Sequence, residues 1–136
     1  MQHIHLTLVF LGNIDIIRLE NLKQSMQSIT AKPFQLLLDT VCYWKHNQIV
    51  SLQPSQPCNE LLELVNKLEI ALTNAQFTYD ERPYKPHITL IRKATHPPQT
   101  NTIEPILFDV MQWVLVQSKP IHNLVEYIPL ARWNLA

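Results

Sequence analysis

Apolar and polar residues alternate along residues 3 to 10, which is the period of a β-strand. One face of this predicted strand carries His3, His5, Thr7 and Val9. Beyond Gly12 the spacing changes to that of an amphipathic helix, with Asn13 or Asp15 as the expected N-cap and Pro33 as the end. The apolar positions of this helix are Ile16, Leu19, Leu22, Met26 and Ile29.

The same two periods organise the rest of the chain. Strands are predicted at residues 34–41, 48–52, 87–91, 106–110, 113–117 and 124–130. A second helix is predicted over residues 59 to 75, because one face carries Leu61, Leu64, Val65, Leu68 and Leu72. Strands outnumber helices, and the connections are too short for repeated parallel crossovers. We therefore expect an α+β fold with largely antiparallel sheets.

Composition narrows the class of protein. A length of 136 residues predicts a single domain, residues 1–136, and 46% apolar content with 16% charged residues indicates a globular chain. The formal net charge is zero, which argues against a general nucleic-acid coat but leaves room for a small site that binds one phosphate. With one glycine in the chain, a Gly-rich phosphate loop is excluded.

The sequence offers no signal for a membrane or for secretion. No apolar run reaches the roughly 20 residues that cross a bilayer. The N-terminus lacks a basic segment followed by a small-residue cleavage site. Cys42 and Cys58 have no metal or redox spacing, and two free thiols suit a reducing compartment. We expect a cytoplasmic protein without a membrane partner.

An internal repeat carries the chemistry. Residues 5–8 (HLTL) and 87–90 (HITL) each place a histidine and a threonine on one face of a predicted strand. One copy alone is as well explained by a half-buried histidine bonded to nearby backbone. Two copies brought side by side would present two imidazoles and two hydroxyls to one cleft. A phosphodiester needs such a set: a base, an acid and donors for its oxygens.

The flanks extend the repeat to HLTLVFLG at residues 5–12 and RPYKPHITLIRK at residues 82–93, with a looser match at 115–118 and 127–130. The chain thereby resembles the two-histidine phosphoesterase superfamily, and within it the RNA 2′,3′-cyclic phosphodiesterases, also called 2′-5′ RNA ligases. The resemblance implies two lobes of antiparallel sheet with flanking helices around a central cleft. Because the sequence starts almost at the first motif, we expect the family's first strand and helix to be absent. The open sheet edge predicts lower stability, or a dimer in place of a monomer.

The resemblance implies that His5 and His87 are catalytic and that Thr7 and Thr89 bind the phosphate. Hydrolysis of a 2′,3′-cyclic phosphate at an RNA 3′ end, or in a cyclic nucleotide, needs one base and one acid. Imidazole, with an ordinary pKa of about 6.5, can supply both near neutral pH. We expect His87 to activate water and His5 to protonate the 3′ oxygen, leaving a 2′-phosphate. No metal or other cofactor is expected, because no His and carboxylate cluster has the required spacing.

Further residues are candidates for substrate contact. The resemblance places Arg92 at the substrate, although an ideal strand would put it on the face opposite His87, so a bend or bulge is required. Phe10 could stack on a base or belong to the core, and Tyr127 could line the cleft or pack. Other positions are expected at the rim, at a hairpin tip touching RNA, or in solvent: His3, Trp44, Lys45, Lys85, His46, His96 and His122.

Three alternatives remain open at this point. The same residues, catalysing the reverse reaction, would join RNA ends in a 2′-5′ linkage. The substrate could instead be another small cyclic phosphate, such as an ADP-ribose derivative. The chain could also bind RNA ends without catalysis, although binding alone does not require two titrating groups at matched positions.

Overall fold

The computed structural model describes residues 5–97 and 102–136. After a 3-10 turn at Ile16–Arg18, the elements of these residues are α1 (Leu19–Gln27), β1 (Phe34–Trp44), β2 (Ile49–Gln53), α2 (Asn59–Asn74), β3 (Ile88–Ile91), β4 (Thr102–Val110), β5 (Gln112–Ile121) and β6 (Leu124–Asn134). The predicted helices and the strands from residue 34 onwards are thus confirmed. Strands β1, β4, β5 and β6 are longer than expected, and both helices are shorter.

The strands form two antiparallel sheets. In the first sheet the spatial order is β3-β2-β1-β4, and every neighbouring pair is antiparallel. The second sheet is the β5–β6 hairpin, whose register runs from Gln112 opposite Asn134 to Ile121 opposite Leu124. With two helices, this arrangement confirms the predicted α+β class.

Helix α2 supplies much of the core. The five apolar residues that predicted its buried face are all buried, at Leu61, Leu64, Val65, Leu68 and Leu72. They belong to one cluster with Leu22 of α1 and with Leu36 and Leu38 of β1. The β5–β6 hairpin joins the same cluster through Trp113, whose ring stacks on Trp133 at 5.7 Å. Both sheets therefore rest on a shared core.

Two local predictions at the start of the chain are wrong. Residues 5–10 form no strand, because they meet β3 at a single bridge, Leu6 opposite Ile88. The helix begins as predicted at Asp15, whose side chain accepts a hydrogen bond from the Ile17 amide at 3.2 Å. Ile16, however, is 82% exposed, because it lies in the 3-10 turn before α1 and not on the buried helical face.

Strand β3 contains an irregularity. Thr89 pairs with Ser51 and Ile91 pairs with Val50, so Leu90 is an extra residue without a partner on β2. Such a bulge interrupts the alternation of faces. Strict alternation in HITL would put Leu90 on the buried face with Ile88, but Leu90 is 44% exposed. Leu8 of the first motif does pack against the core.

None of the helices in the described residues is long and apolar enough to cross a bilayer.

Candidate active site

The two sequence motifs meet at the outer edge of β3. Leu6 pairs with Ile88 in the antiparallel sense. Continuing that register by one residue on each side sets His5 across from Thr89, and Thr7 across from His87. Opposed residues of such a pair lie about 4.5–5.5 Å apart, and diagonal neighbours on one face about 7–8 Å apart. Because Leu6 and Ile88 face the core, the alternation places both histidines and both threonines on the opposite side of the two segments.

His87 is held in a defined orientation. Its Nδ1 lies 2.7 Å from the carbonyl oxygen of Lys85. A backbone carbonyl only accepts, so Nδ1 carries the proton and donates it, and Nε2 is the nitrogen left for chemistry. The Trp44 ring packs edge-on against His87, with centroids 4.7 Å apart and planes at 68°. The β1–β2 hairpin tip thereby forms one wall beside the second motif.

His5 meets the other sheet. Its ring lies 5.0 Å from that of Tyr127 on β6, with the planes tilted by 56°. His5 is exposed and Tyr127 is half-buried. Tyr127 therefore lines the wall beside the first motif.

Arg92 directly follows the last residue of β3, and Phe10 belongs to the segment that contains the first motif. The extra residue at Leu90 is an irregularity of the kind that the expectation for Arg92 requires. The Arg92 side chain is exposed. Phe10 is 62% exposed, which excludes the core as its location. Beside it lies a shallow depression lined by Leu11, Gly12 and the 78–80 segment.

The remaining candidates are exposed or lie outside the described residues. His46, His96 and His122 are exposed, as predicted, and so are Lys45 and Lys85. The prediction for His3 falls outside the part of the chain that the structure describes. Among residues 5–97 and 102–136, no three His, Cys, Asp or Glu side chains come together in a way that could hold a metal ion.

The segment before the second motif contains two residues that the sequence analysis did not identify. The Tyr84 hydroxyl donates to the Thr7 carbonyl at 2.9 Å, and burial raises the pKa of Tyr84 above its usual value. The Asp80 backbone amide donates to the Phe10 carbonyl at 2.9 Å. The Arg82 side chain and amide donate to the Asp80 carboxylate, which lowers the pKa of Asp80 to about 2. No local sequence signal predicts the contact of Tyr84 with Thr7, because 77 residues separate them.

Comparison with known proteins gives consistent matches. The sequence model of the 2'-5' RNA ligase superfamily matches residues 2–132. The RNA 2',3'-cyclic phosphodiesterase of Escherichia coli (strain K12) is 32% identical over 138 residues, which cover 98% of this chain and 77% of that protein. The protein of the same name from Bacillus subtilis (strain 168) is 30% identical over 97 residues, covering 67% of this chain and 52% of the relative.

Solved structures agree. The crystal structure of E. coli LigT complexed with 3'-AMP superposes with a TM-score of 0.86 at 30% identity, covering 97% of this chain and 76% of that one. The apo form of LigT gives a TM-score of 0.84 at 32% identity, with the same two coverages. This chain thus spans about three quarters of the length of LigT. The chain belongs to the 2'-5' RNA ligase superfamily.

Proposed function

We propose that this protein hydrolyses the 2′,3′-cyclic phosphate at RNA 3′ ends to a 2′-phosphate, without a metal. The observation that carries the proposal is the Leu6–Ile88 bridge, which brings two His-x-Thr motifs from distant parts of the sequence to one surface. Two relatives named RNA 2',3'-cyclic phosphodiesterase support the substrate. The free thiols of Cys42 and Cys58 favour a cytoplasmic location.

His87 acts as the general base. Since its Nδ1 donates to Lys85, the neutral ring offers Nε2 as a proton acceptor toward the cleft. Nε2 takes a proton from water as the water oxygen attacks phosphorus. His5, in its protonated form, gives a proton to the departing 3′ oxygen as the P–O3′ bond breaks. The result is a free 3′-hydroxyl and a 2′-phosphate, and proton exchange with solvent restores both rings.

Thr7 and Thr89 bind the phosphate. If the Leu6–Ile88 pairing continues by one residue on each side, each threonine lies across from the histidine of the other motif. The non-bridging oxygens of the phosphate would then sit between the two threonine hydroxyls. Negative charge on these oxygens grows in the transition state, and fixed hydroxyl dipoles stabilise it. Arg92, on the same face after the bulge, adds positive charge. Tyr127, Trp44 and Phe10 offer aromatic surface to the terminal nucleotides.

Replacing either catalytic histidine tests the proposal. Turnover of an RNA oligonucleotide ending in a 2′,3′-cyclic phosphate should fall by about 10²–10⁴-fold in His5→Ala and in His87→Ala, because each removes one proton-transfer group. His122→Ala is the matched control, since its ring is exposed in the turn between β5 and β6, and it should keep the wild-type rate. Phosphorus NMR of the product distinguishes a 2′-phosphate from a 3′-phosphate. A wild-type rate in His5→Ala or in His87→Ala would refute the assignment.

Two further measurements address the alternatives. Activity should survive exhaustive chelation, and a loss restored by zinc would overturn the metal-free mechanism. The reverse reaction, joining a 2′,3′-cyclic end to a 5′-hydroxyl, uses the same two proton transfers. It should stay minor because water is in vast excess over RNA ends. Faster turnover of an ADP-ribose derivative that carries a cyclic phosphate than of the RNA end would point to a different substrate.

A further inference from the structure

The first motif is joined by hydrogen bonds to the part of the chain that carries the second motif. Residues 5–11 form no strand, and their one ladder contact with β3 is the Leu6–Ile88 bridge. Two further hydrogen bonds reach this segment, from the Tyr84 hydroxyl to the Thr7 carbonyl and from the Asp80 amide to the Phe10 carbonyl, each 2.9 Å long. Both donors belong to the segment that leads into His87. The placement of the first motif therefore depends on the chain that carries the second.

We infer that the Tyr84 hydroxyl is a positioning group that fixes Thr7 and His5 relative to His87. The inference rests on the proposed function. Tyr84 does not act on the substrate itself; it acts through the backbone of Thr7. Its bond joins the two halves of the site at the residue whose hydroxyl is proposed to hold the phosphate.

The surroundings of Tyr84 suit this role. Its ring packs against the hydrophobic core, so the core fixes the position of the hydroxyl. Burial raises the pKa of Tyr84, so the hydroxyl keeps its proton and stays a donor at neutral pH. Its acceptor is a carbonyl on a segment without a complete strand ladder. Without the hydroxyl, this carbonyl would have to turn to solvent.

A small displacement here has a kinetic cost. A misplacement of about 1 Å between reacting groups can lower the rate by about 10²-fold. Losing one hydrogen bond that holds the backbone of Thr7 should produce a fraction of that, so kcat in Tyr84→Phe should fall by about 3- to 10-fold. KM should change less than twofold, because the surfaces that bind the rest of the RNA remain in place.

Tyr43→Phe is the matched control. The Tyr43 hydroxyl also donates to a backbone carbonyl far along the chain, that of Ala94, at 2.8 Å. Neither residue is one of the histidines or threonines that are proposed to act on the phosphate. Both variants lose one hydroxyl-to-carbonyl bond and should show a similar decrease in melting temperature. Only Tyr84→Phe should lose kcat, and equal losses of kcat in the two variants would reduce Tyr84 to a general stabilising residue.

A double-mutant cycle tests the route through Thr7. In a Thr7→Ala background the hydroxyl that Tyr84 positions is gone, so adding Tyr84→Phe should lower kcat by less than in the wild type. Fully multiplicative effects would contradict the inference.

A measurement without turnover separates this inference from the proposed function. Hydrogen exchange of the peptide covering residues 5–11 should be faster in Tyr84→Phe than in the wild type, and unchanged in Tyr43→Phe. If the wild type fails to open the cyclic phosphate, the proposed function falls, and the exchange result still decides whether Tyr84 orders the first motif. Unchanged exchange together with unchanged kcat would overturn the inference.

Discussion

Ile88 and Leu90 are both apolar residues of the second motif, and the structure predicts that truncating them has very different effects. Ile88 is 7% exposed and belongs to the core cluster, whereas Leu90 is the bulged residue of β3 and is 44% exposed. Alternation alone would bury them equally. The comparison of Ile88→Ala with Leu90→Ala therefore tests the bulge itself.

The expected losses follow from burial. Ile88→Ala removes three buried carbons, worth about 0.8 kcal/mol each in transfer, and leaves a cavity, so the free energy of unfolding should fall by about 3 kcal/mol. Leu90→Ala removes a side chain that is little more than half covered, and water fills the space it leaves. Its cost should be about 1 kcal/mol. Ile88→Val, which deletes one methyl group, should also cost about 1 kcal/mol.

Urea denaturation followed by tryptophan fluorescence measures these differences. The midpoints should shift while the slope stays constant, which indicates that the denatured state is unchanged. The Ile88 side chain points away from the cleft, so folded Ile88→Val should keep its rate of cyclic-phosphate hydrolysis. Equal destabilisation by Ile88→Ala and Leu90→Ala, or a larger loss in the latter, would refute the bulged geometry and the placement of Arg92 that depends on it.

Three further variants probe separate parts of the site. Thr89→Ala should lower kcat by about 10- to 10³-fold through loss of one transition-state donor, and an unchanged kcat would remove Thr89 from the phosphate site. Arg92→Ala should raise KM for RNA ends and weaken RNA binding in a filter-binding titration, whereas Lys93→Ala should do neither. An equal loss of RNA affinity in the two variants would leave Arg92 without a specific role. Hydrogen bonds from Arg82 lower the pKa of Asp80 from its ordinary value of 3.8 to about 2. These bonds therefore stabilise the folded protein fully at pH values above 3.8, and their contribution is lost as the pH falls toward 2. Asp80→Asn should thus be less stable than the wild type at pH 7, and the difference in urea midpoint should vanish at acid pH.

Local sequence patterns predicted the elements whose environment is uniform along their length. Helix α2 is an example, because its five buried residues recur with the helical period and one continuous core covers them. The first motif has an equally clear strand period, and the strand prediction for it was wrong. Alternation shows which residues share a face, but the formation of a strand also needs a partner along its length, and residues 5–10 have one at Leu6 alone.

The paired motifs identified the residues that the structure brings together, while their supports could not be predicted. The bulge at Leu90 arises from the register between β2 and β3, which no residue of HITL encodes. The Tyr84–Thr7 bond and the contact of Trp44 with His87 join residues that meet only in the folded chain. For Arg92, the required bulge was inferred from the resemblance and not from the strand pattern.

The edge-on packing of Trp44 against His87 gives the protein an optical indicator of its own proposed base. Indole emission is quenched by an imidazolium ion in contact with it, and much less by neutral imidazole. Trp113 and Trp133 stack on each other in the second sheet, so a pH-dependent change in emission that disappears in Trp44→Phe can be assigned to the indole beside His87. Contact of a bound nucleotide with this end of the proposed site can then be followed through the Trp44 emission, without turnover.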